Sequence, residues 1–326
     1  MRPKINIHPR LLISVILIGS SLILFLTSLD NSLDSFSFLK VLKSQDCILL
    51  NETSYRYCYK ESNSTIIFLD LSLNDTDQGW SWMERCSFIT AATHNNDTGV
   101  CVLTLRSHLI DSDSSTLIAI DNLEIAELDI CSILKDTPAY GWYVDYALSS
   151  RVSRFIMYEL SDALRYAYLY KYGGKYMDTD SWTLKNLSPL SNAVGWDSNK
   201  SIANGVLFFE SGHPFMKAAL DSIADYFQPG QWGSIGPMMI TAIHRSQAVD
   251  ESSYSVLPSH VFYPVHWSGY ASQFQPNKTD YVKEVSEKSY TSHLYGFMIG
   301  RSEMGKNIPD RRSFVGEIFH KYCHID

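Results

Sequence analysis

The stretch VSRFIMYELSDALRYAYLYKYGGKYMDTD, residues 152–180, decides the fold. Within it Ile156, Leu160, Leu164, Ala167 and Tyr170 recur three or four apart and so line one buried face of a helix. Gly173-Gly174 ends that helix, because a left-handed cap and a tight turn both favour residues without Cβ. Residues 175–178 follow as a short strand, so the spacing predicts that Asp178 and Asp180 project at period two from its C-terminal end. Working outward, 65–71 (TIIFLDL), 100–105 (VCVLTL) and 116–120 (TLIAI) read as buried strands, and 80–94 (WSWMERCSFITAATH) has helical spacing. Strand, helix, strand in this order predicts an α/β fold with a mostly parallel sheet flanked by helices. Such sheets bind ligands, often nucleotides, beyond the carboxyl ends of their strands.

The N-terminus carries a different message. Residues 11–29 (LLISVILIGSSLILFLTSL) contain no charge, and as a helix they are about 28 Å long, close to the ~30 Å of a bilayer core. Arg2, Lys4 and Arg10 precede this run, and Asp30 and Asp34 follow it. By the positive-inside rule the N-terminus is cytoplasmic and the remainder luminal. A cleaved signal peptide is the competing reading, but the run is longer than its usual apolar region and lacks a small-x-small end. The expected organisation is a cytoplasmic tail at 1–10, a signal-anchor at 11–29, a Ser-, Asn- and Lys-rich luminal stem at 30–62 and a catalytic domain at 63–326.

Charge supports that division. The chain has 27 basic and 35 acidic residues, net −8; its first ten residues hold three basic and no acidic ones, which leaves 24 against 35, or −11, for the rest. Bulk positive charge for a nucleic acid partner is absent. Glycosylation sequons at Asn51, Asn63, Asn74, Asn96, Asn186, Asn199 and Asn277 all lie beyond the anchor, as do the six cysteines. The cysteines show no zinc spacing; disulfides are permitted in a lumen, and the sequence does not select a pairing.

A D-x-D triplet alone is a weak signal, since Asp75-Thr76-Asp77 and Asp111-Ser112-Asp113 have the same form and read as solvated turns. Only Asp178-Thr179-Asp180 follows an amphipathic helix and a Gly-Gly turn. Two carboxylates there suit Mg²⁺ or Mn²⁺, hard cations that keep ligand positions for water and a diphosphate. Without a cation they repel a nucleotide diphosphate; with one, the metal neutralises it. Asp162 and Arg165, at i and i+3 on the same helix, read either as a surface ion pair or as a donor–acceptor pair for sugar hydroxyls.

Ordered pieces from Phe68 to Tyr295 resemble the group of glycosyltransferase family 32 that holds the lactosylceramide 4-alpha-galactosyltransferases and alpha-1,4-N-acetylglucosaminyltransferases. They are FLDLS at 68–72, CSFITAATHN at 86–95, LDI at 128–130 with DTPAYGWY at 136–143, SDALRYAYLYKYGGKYMDTD at 161–180 and LKNL at 184–187. NGVLFFESGHPFM at 204–216, WGSIGP at 232–237, LPSHVFYPVHW at 257–267 and HLY at 293–295 continue the series.

The resemblance implies a Rossmann-like type A glycosyltransferase fold behind a single transmembrane helix, in a single-pass type II Golgi membrane protein. It implies a retaining transfer from a UDP-sugar with Mn²⁺ or Mg²⁺. Asp178 and Asp180 would be catalytic and bind metal and diphosphate, with His293 completing the metal or phosphate shell. Asp162, Arg165, Asn204 and Gly205 would bind the donor, and Gly236-Pro237 would shape a loop near the acceptor. UDP-Gal or UDP-GalNAc and a glycolipid acceptor are the expected substrates, and a second copy or another glycosyltransferase the expected protein partner. An α-1,4-GlcNAc transferase of O-glycans and a non-catalytic lectin-like or chaperone protein are the alternatives. Two departures from the family pattern, Ile235 in place of a Gln and Gly296 in place of an Asn, bear on substrate choice.

Overall fold

The computed structural model describes residues 13–18, 21–26, 56–72, 79–106, 115–147, 153–198, 200–299 and 307–323. Within residues 11–29, expected to form an anchor, Ile13–Ile18 and Ser21–Leu26 pair antiparallel with each other. Among the described residues no helix is long and apolar enough to cross a membrane, so the expected spanning helix is not seen. The tail, the stem up to residue 55 and the triplets at 75–77 and 111–113 lie outside the described residues.

Residues 66–70 are apolar up to their last position and all buried, which makes β1 (Ile66–Asp70) the kind of strand that must be covered on both faces. The helix α1 (Trp82–His94) opens on a capping box in which Ser81 and Glu84 satisfy each other's backbone N–H groups. It leads to β2 (Val100–Thr104) and β3 (Leu123–Glu127), both parallel to β1. The long helix α2 (Ile156–Tyr172) then returns the chain to β4 (Gly174–Met177), also parallel to β1. A three-residue turn separates β4 from β5 (Ser181–Thr183), and the hairpin β6 (Ala193–Ser198) and β7 (Ser201–Phe209) follows. Helices α3 (Pro214–Tyr226) and α4 (Pro237–Arg245), strand β8 (Ser255–Leu257), helix α5 (Thr279–Ser286) and strand β9 (Thr291–His293) complete the set used below.

The main sheet has the order β8-β6-β7-β4-β1-β2-β3, with β7 antiparallel to both neighbours and the other pairs parallel. Its pleat divides the core. Ile67, Leu69, Cys101 and Leu103 face a layer containing Leu160, Leu164, Phe215 and Met239 of α2, α3 and α4. Ile66, Phe68, Val100 and Val102 face Phe88 and Ile89 of α1 and the C-terminal Phe314 and Val315. The mostly parallel sheet between helical layers is therefore as expected, and the helix predicted from Ile156 onward is present.

Three expectations are corrected. The run 116–120 is not a strand: Ser115–Ile118 is a helical turn, and the sheet takes Leu123–Glu127 instead. Asn122 Nδ2 donates to the carbonyls of Ala92, Asn95 and Thr98, and so fixes where the chain enters β3. Composition alone does not contain that long-range choice. The folded unit also begins before residue 63, since the Arg56, Tyr57 and Cys58 amides donate to the Glu124 carboxylate and Tyr59 is buried. Asp178 and Asp180 lie not on a continued strand but on the turn after β4.

Among the described residues Cys58–Cys101 and Cys86–Cys323 are joined as disulfides, and Cys131 is also disulfide-bonded. The first ties the start of the folded unit to β2. The second ties α1 to the C-terminal segment.

Candidate active site

The 178–180 turn is held from two sides. From α1, Ser87 Oγ donates to the Thr179 carbonyl at 2.6 Å, and the Met83 carbonyl accepts from Trp182 Nε1 at 3.0 Å. From the other side, β9 pairs with β5 so that His293 stands opposite Ser181. The Leu294 amide donates to the Asp180 carbonyl, and Gln273, fully buried, donates to the His293 carbonyl. Residues more than a hundred positions apart in sequence thus converge on one turn at the C-terminal end of a parallel strand.

Each carboxylate has one oxygen secured and one turned inward. Asp178 Oδ1 accepts from Tyr176 Oη at 2.6 Å and pairs with Arg165 Nη1 at 3.1 Å, while Oδ2 lies 3.5 Å from His293 Nε2. Asp180 Oδ2 accepts from the Gly296 amide at 2.6 Å, and Oδ1 lies 3.2 Å from His293 Nε2. Burial alone would lower the pKa of His293, but Asp180 and Asp178 outweigh it and push the imidazole up to about 10. Burial likewise opposes ionisation of Asp180, and His293 with the Gly296 amide brings it below the usual carboxylate range.

These three side chains fit a divalent cation. One ligand atom from each lies within 4.8 Å of the others, in the mixed oxygen and nitrogen set that Mn²⁺ accepts. The backbone is cut away to make room. A Cβ on Gly205 would stand 2.6 Å from Asp178 Oδ2 and 3.2 Å from His293 Nε2, and one on Gly296 3.1 Å from Asp180 Oδ2.

The second acidic centre sits one layer deeper. Asp162 and Arg165 are both buried, so their pairing at 3.3 Å is not a surface ion pair. Asn204 Nδ2 donates to Asp162 Oδ1 at 2.7 Å, and Arg165 Nη1 donates to the Asn204 carbonyl at 2.7 Å. Arg165 also lies over the Tyr176 ring, 4.5 Å from its centroid. The guanidinium therefore joins α2, β4 and β7, and its visible work is to hold Asp178 and Asn204 in place. Burial, only partly offset by Arg165 and Asn204, pushes the Asp162 carboxyl up to about 6. Gly236, whose Cβ would lie 2.6 Å from Asp162 Oδ2, is the N-cap of α4, and Pro237 is its first residue. The Gly-Pro pair thus opens a helix against Asp162. Ile235 is fully buried, with its carbonyl accepting from Tyr166 Oη.

All seven sequence-selected residues, Asp162, Arg165, Asp178, Asp180, Asn204, Gly205 and His293, are brought into this one region. Tyr176 was not among them, although its position two residues before Asp178 on a strand was the available signal. Ser87 and Gln273 carried no local signal at all. Glu159, one turn before Asp162 on α2, is buried, and neither carboxylate oxygen has a hydrogen-bond partner.

Two family models match the chain. The glycosyltransferase sugar-binding region containing the DXD motif covers residues 81–200, and the alpha 1,4-glycosyltransferase conserved region covers 208–325. The chain is 28% identical to lactosylceramide 4-alpha-galactosyltransferase of Gorilla gorilla gorilla over 275 residues, 79% of this chain and 81% of that one. The Homo sapiens protein of the same name is also 28% identical, over 79% and 75% of the two chains. Human alpha-1,4-N-acetylglucosaminyltransferase is 28% identical over 219 residues, 64% of this chain and 62% of that one. Among solved structures, a galactosyltransferase in complex with donor and acceptor sugar analogues is similar at a TM-score of 0.44 and 12% identity, covering 80% and 97%. With the Asp-x-Asp turn, the clustered histidine and both family regions in one chain, this protein belongs to the DXD-containing alpha-1,4-glycosyltransferases.

Proposed function

We propose that this chain transfers Gal or GalNAc from a UDP-sugar, with retention of configuration, in α-1,4 linkage onto a glycosphingolipid acceptor. The observation that carries the reading is the convergence of Asp178, Asp180 and His293 at the C-terminal end of β4, with Gly205 and Gly296 leaving space beside them. In this reading Asp178, Asp180 and His293 hold Mn²⁺ or Mg²⁺. A cation bound there supplies Lewis-acid neutralisation of the diphosphate. Arg165 holds Asp178 in place, while Tyr176 and the Gly296 amide fix the outer oxygens of the two carboxylates. Asp162 and Asn204, already hydrogen-bonded to each other, offer an acceptor and a carbonyl-anchored amide to donor hydroxyls. Rigid placement of donor and acceptor supplies the proximity component of the rate.

The same reading places the chain in the Golgi membrane as a type II protein, with residues 11–29 as anchor and the catalytic unit luminal. An anchored enzyme meets lipid-borne acceptors at high local concentration. Transfer of GlcNAc to O-glycans is the second reading, favoured by equal identity to the α-1,4-GlcNAc transferase.

The test is a panel of UDP-Gal, UDP-GalNAc and UDP-GlcNAc offered to the full-length protein with lactosylceramide or O-glycan acceptors, with Mn²⁺ or EDTA. Metal-dependent transfer that Asp178→Asn reduces by at least about a hundredfold is expected. Unchanged turnover in the variant would overturn the assignment.

A further inference from the structure

A cavity of about 310 Å³ lies away from the Asp178–Asp180–His293 cluster and shares none of its residues. It is bounded by the last turn of α1, the end of β5, helix α5 and the C-terminal helix Phe314–Ile318. On α1, His94 at the cavity stands two helical turns beyond Ser87, which touches the 178–180 turn, a separation of about 10 Å. Strand β5 makes the same separation: Ser181 faces His293 at the site, and Thr183, at its other end, lines the cavity.

The charge of this cavity runs against that of the chain. The protein is net −8, yet Lys185, Lys283, Lys321 and His94 line the cavity against one acid, Glu317. Glu317 is already committed to Lys283, at 2.7 Å. Lys185 Nζ donates to the Glu287 carbonyl, and Lys321 Nζ lies over the Tyr322 ring, 4.6 Å from its centroid. Neither of these partners is an anion, and an ammonium group has three N–H donors, so both lysines retain donors for one.

A second observation is independent of charge. Ser286, the last residue of α5, is 7% exposed and lines the same cavity, and its hydroxyl has no hydrogen-bond partner. A buried hydroxyl left unpaired costs stability, and a ligand that accepts from it removes the cost. Leu184, Phe314 and Ile318 make the rest of the wall apolar. The volume is at the lower end of the ~300–1,000 Å³ of ligand pockets, which gives room for one ring or one head group rather than a nucleotide sugar. Two ammonium groups and a hydroxyl call for several acceptor atoms and more than one negative charge. A phosphate monoester supplies three oxygens and a charge of about −2, and a carboxylate does not.

We infer that this cavity binds a phosphate monoester carried on an apolar group, with Lys185 and Lys321 at the phosphate, Ser286 donating to it, and Phe314 and Ile318 against the apolar part. Two sources share that chemistry, an anionic phospholipid and a soluble phosphate ester. The inference does not depend on the transferase reading, because no residue of the metal cluster takes part.

The test is calorimetric titration of phenyl phosphate into the full-length protein in phosphatidylcholine nanodiscs, with EDTA so that no metal draws the anion to Asp178 and Asp180. Phenyl phosphate is expected to bind, and inorganic phosphate to bind several-fold more weakly because it lacks the apolar part. Lys185→Gln combined with Lys321→Gln, two exposed positions, should weaken phenyl phosphate at least about tenfold. Ser286→Ala should weaken it several-fold with Tm no lower than that of the wild type. UDP affinity in Mn²⁺ should be unchanged in both variants. No binding of phenyl phosphate by the wild type, or equal binding by the wild type and both variants, would overturn the site, and inorganic phosphate binding as tightly would overturn its apolar half. Phosphatidic acid in the nanodiscs separates the sources: an apparent affinity for phenyl phosphate lowered at least about tenfold supports the lipid, and an unchanged affinity supports the soluble ester.

Discussion

Gly205 constrains the cluster as tightly as any charged residue does. Its missing side chain leaves space that Asp178 Oδ2 and His293 Nε2 border at 2.6 and 3.2 Å from where a Cβ would be. Gly205→Ala is expected to weaken Mn²⁺-dependent UDP binding by at least about tenfold, because both ligands must retreat. Far-ultraviolet circular dichroism should remain that of the wild type; equal UDP affinity in calorimetry would refute the close approach. Glu159 supports a prediction of a different kind. Burial, with the nearby Asp162 adding to it, pushes its pKa up to about 7 from an ordinary 4.5. A carboxyl raised on folding contributes stability that is complete below pH 4.5 and lost as the pH rises through 7. The shift corresponds to about 3 kcal/mol, of which solvent screening leaves ~2. Glu159→Gln should therefore raise Tm by a few degrees at pH 8 and have almost no effect near pH 4.5. A gain independent of pH would contradict this account.

At the scale of elements, α1 and α2 share the positioning work. Helix α2 supplies Asp162 and Arg165, and ends where Gly173 has φ +70° and Gly174 φ +114°, values that favour glycine. Helix α1 supplies no candidate ligand, yet its Ser87 hydroxyl donates to the Thr179 carbonyl and so supports the turn from below. Ser87→Ala is expected to cost about 1 kcal/mol through loss of the part-buried hydrogen bond to the Thr179 carbonyl. It should also loosen the turn enough to lower Mn²⁺ affinity several-fold, as followed by electron paramagnetic resonance of the free ion. Loss of stability without loss of metal affinity would show that β4 and β9 suffice to hold the turn. The periodicity of α2 and its Gly-Gly stop were legible because they are local patterns. The Ser87 contact was not, since it joins residues separated by 92 positions.

For the whole molecule, the disulfides close the unit at both ends. Cys58–Cys101 spans 43 residues and Cys86–Cys323 spans 237. In the chain-entropy account a loop of the smaller size stabilises by about 4 kcal/mol and the larger one by about 5. Reduction with dithiothreitol should thus lower Tm markedly, and Cys86→Ser with Cys323→Ser should do so more than Cys58→Ser with Cys101→Ser. The reverse order would place the weaker constraint at the C-terminus. Sequence by itself determined the α/β class, the long helix with its glycine stop and the Asp-x-Asp triplet that follows it, and these follow from period, composition and short motifs, all of which are local. Asn204, Gly205 and His293 were legible only through the resemblance to a family. Tertiary structure alone decided that residues 116–120 leave the sheet, that Asp162 and Arg165 are buried together, and that residues 56–62 belong to the folded unit. It alone brought Ser87 and Gln273 to the site. Each of those outcomes depends on hydrogen bonds and packing between segments far apart in the chain, and their energies do not exist until the sheet has assembled.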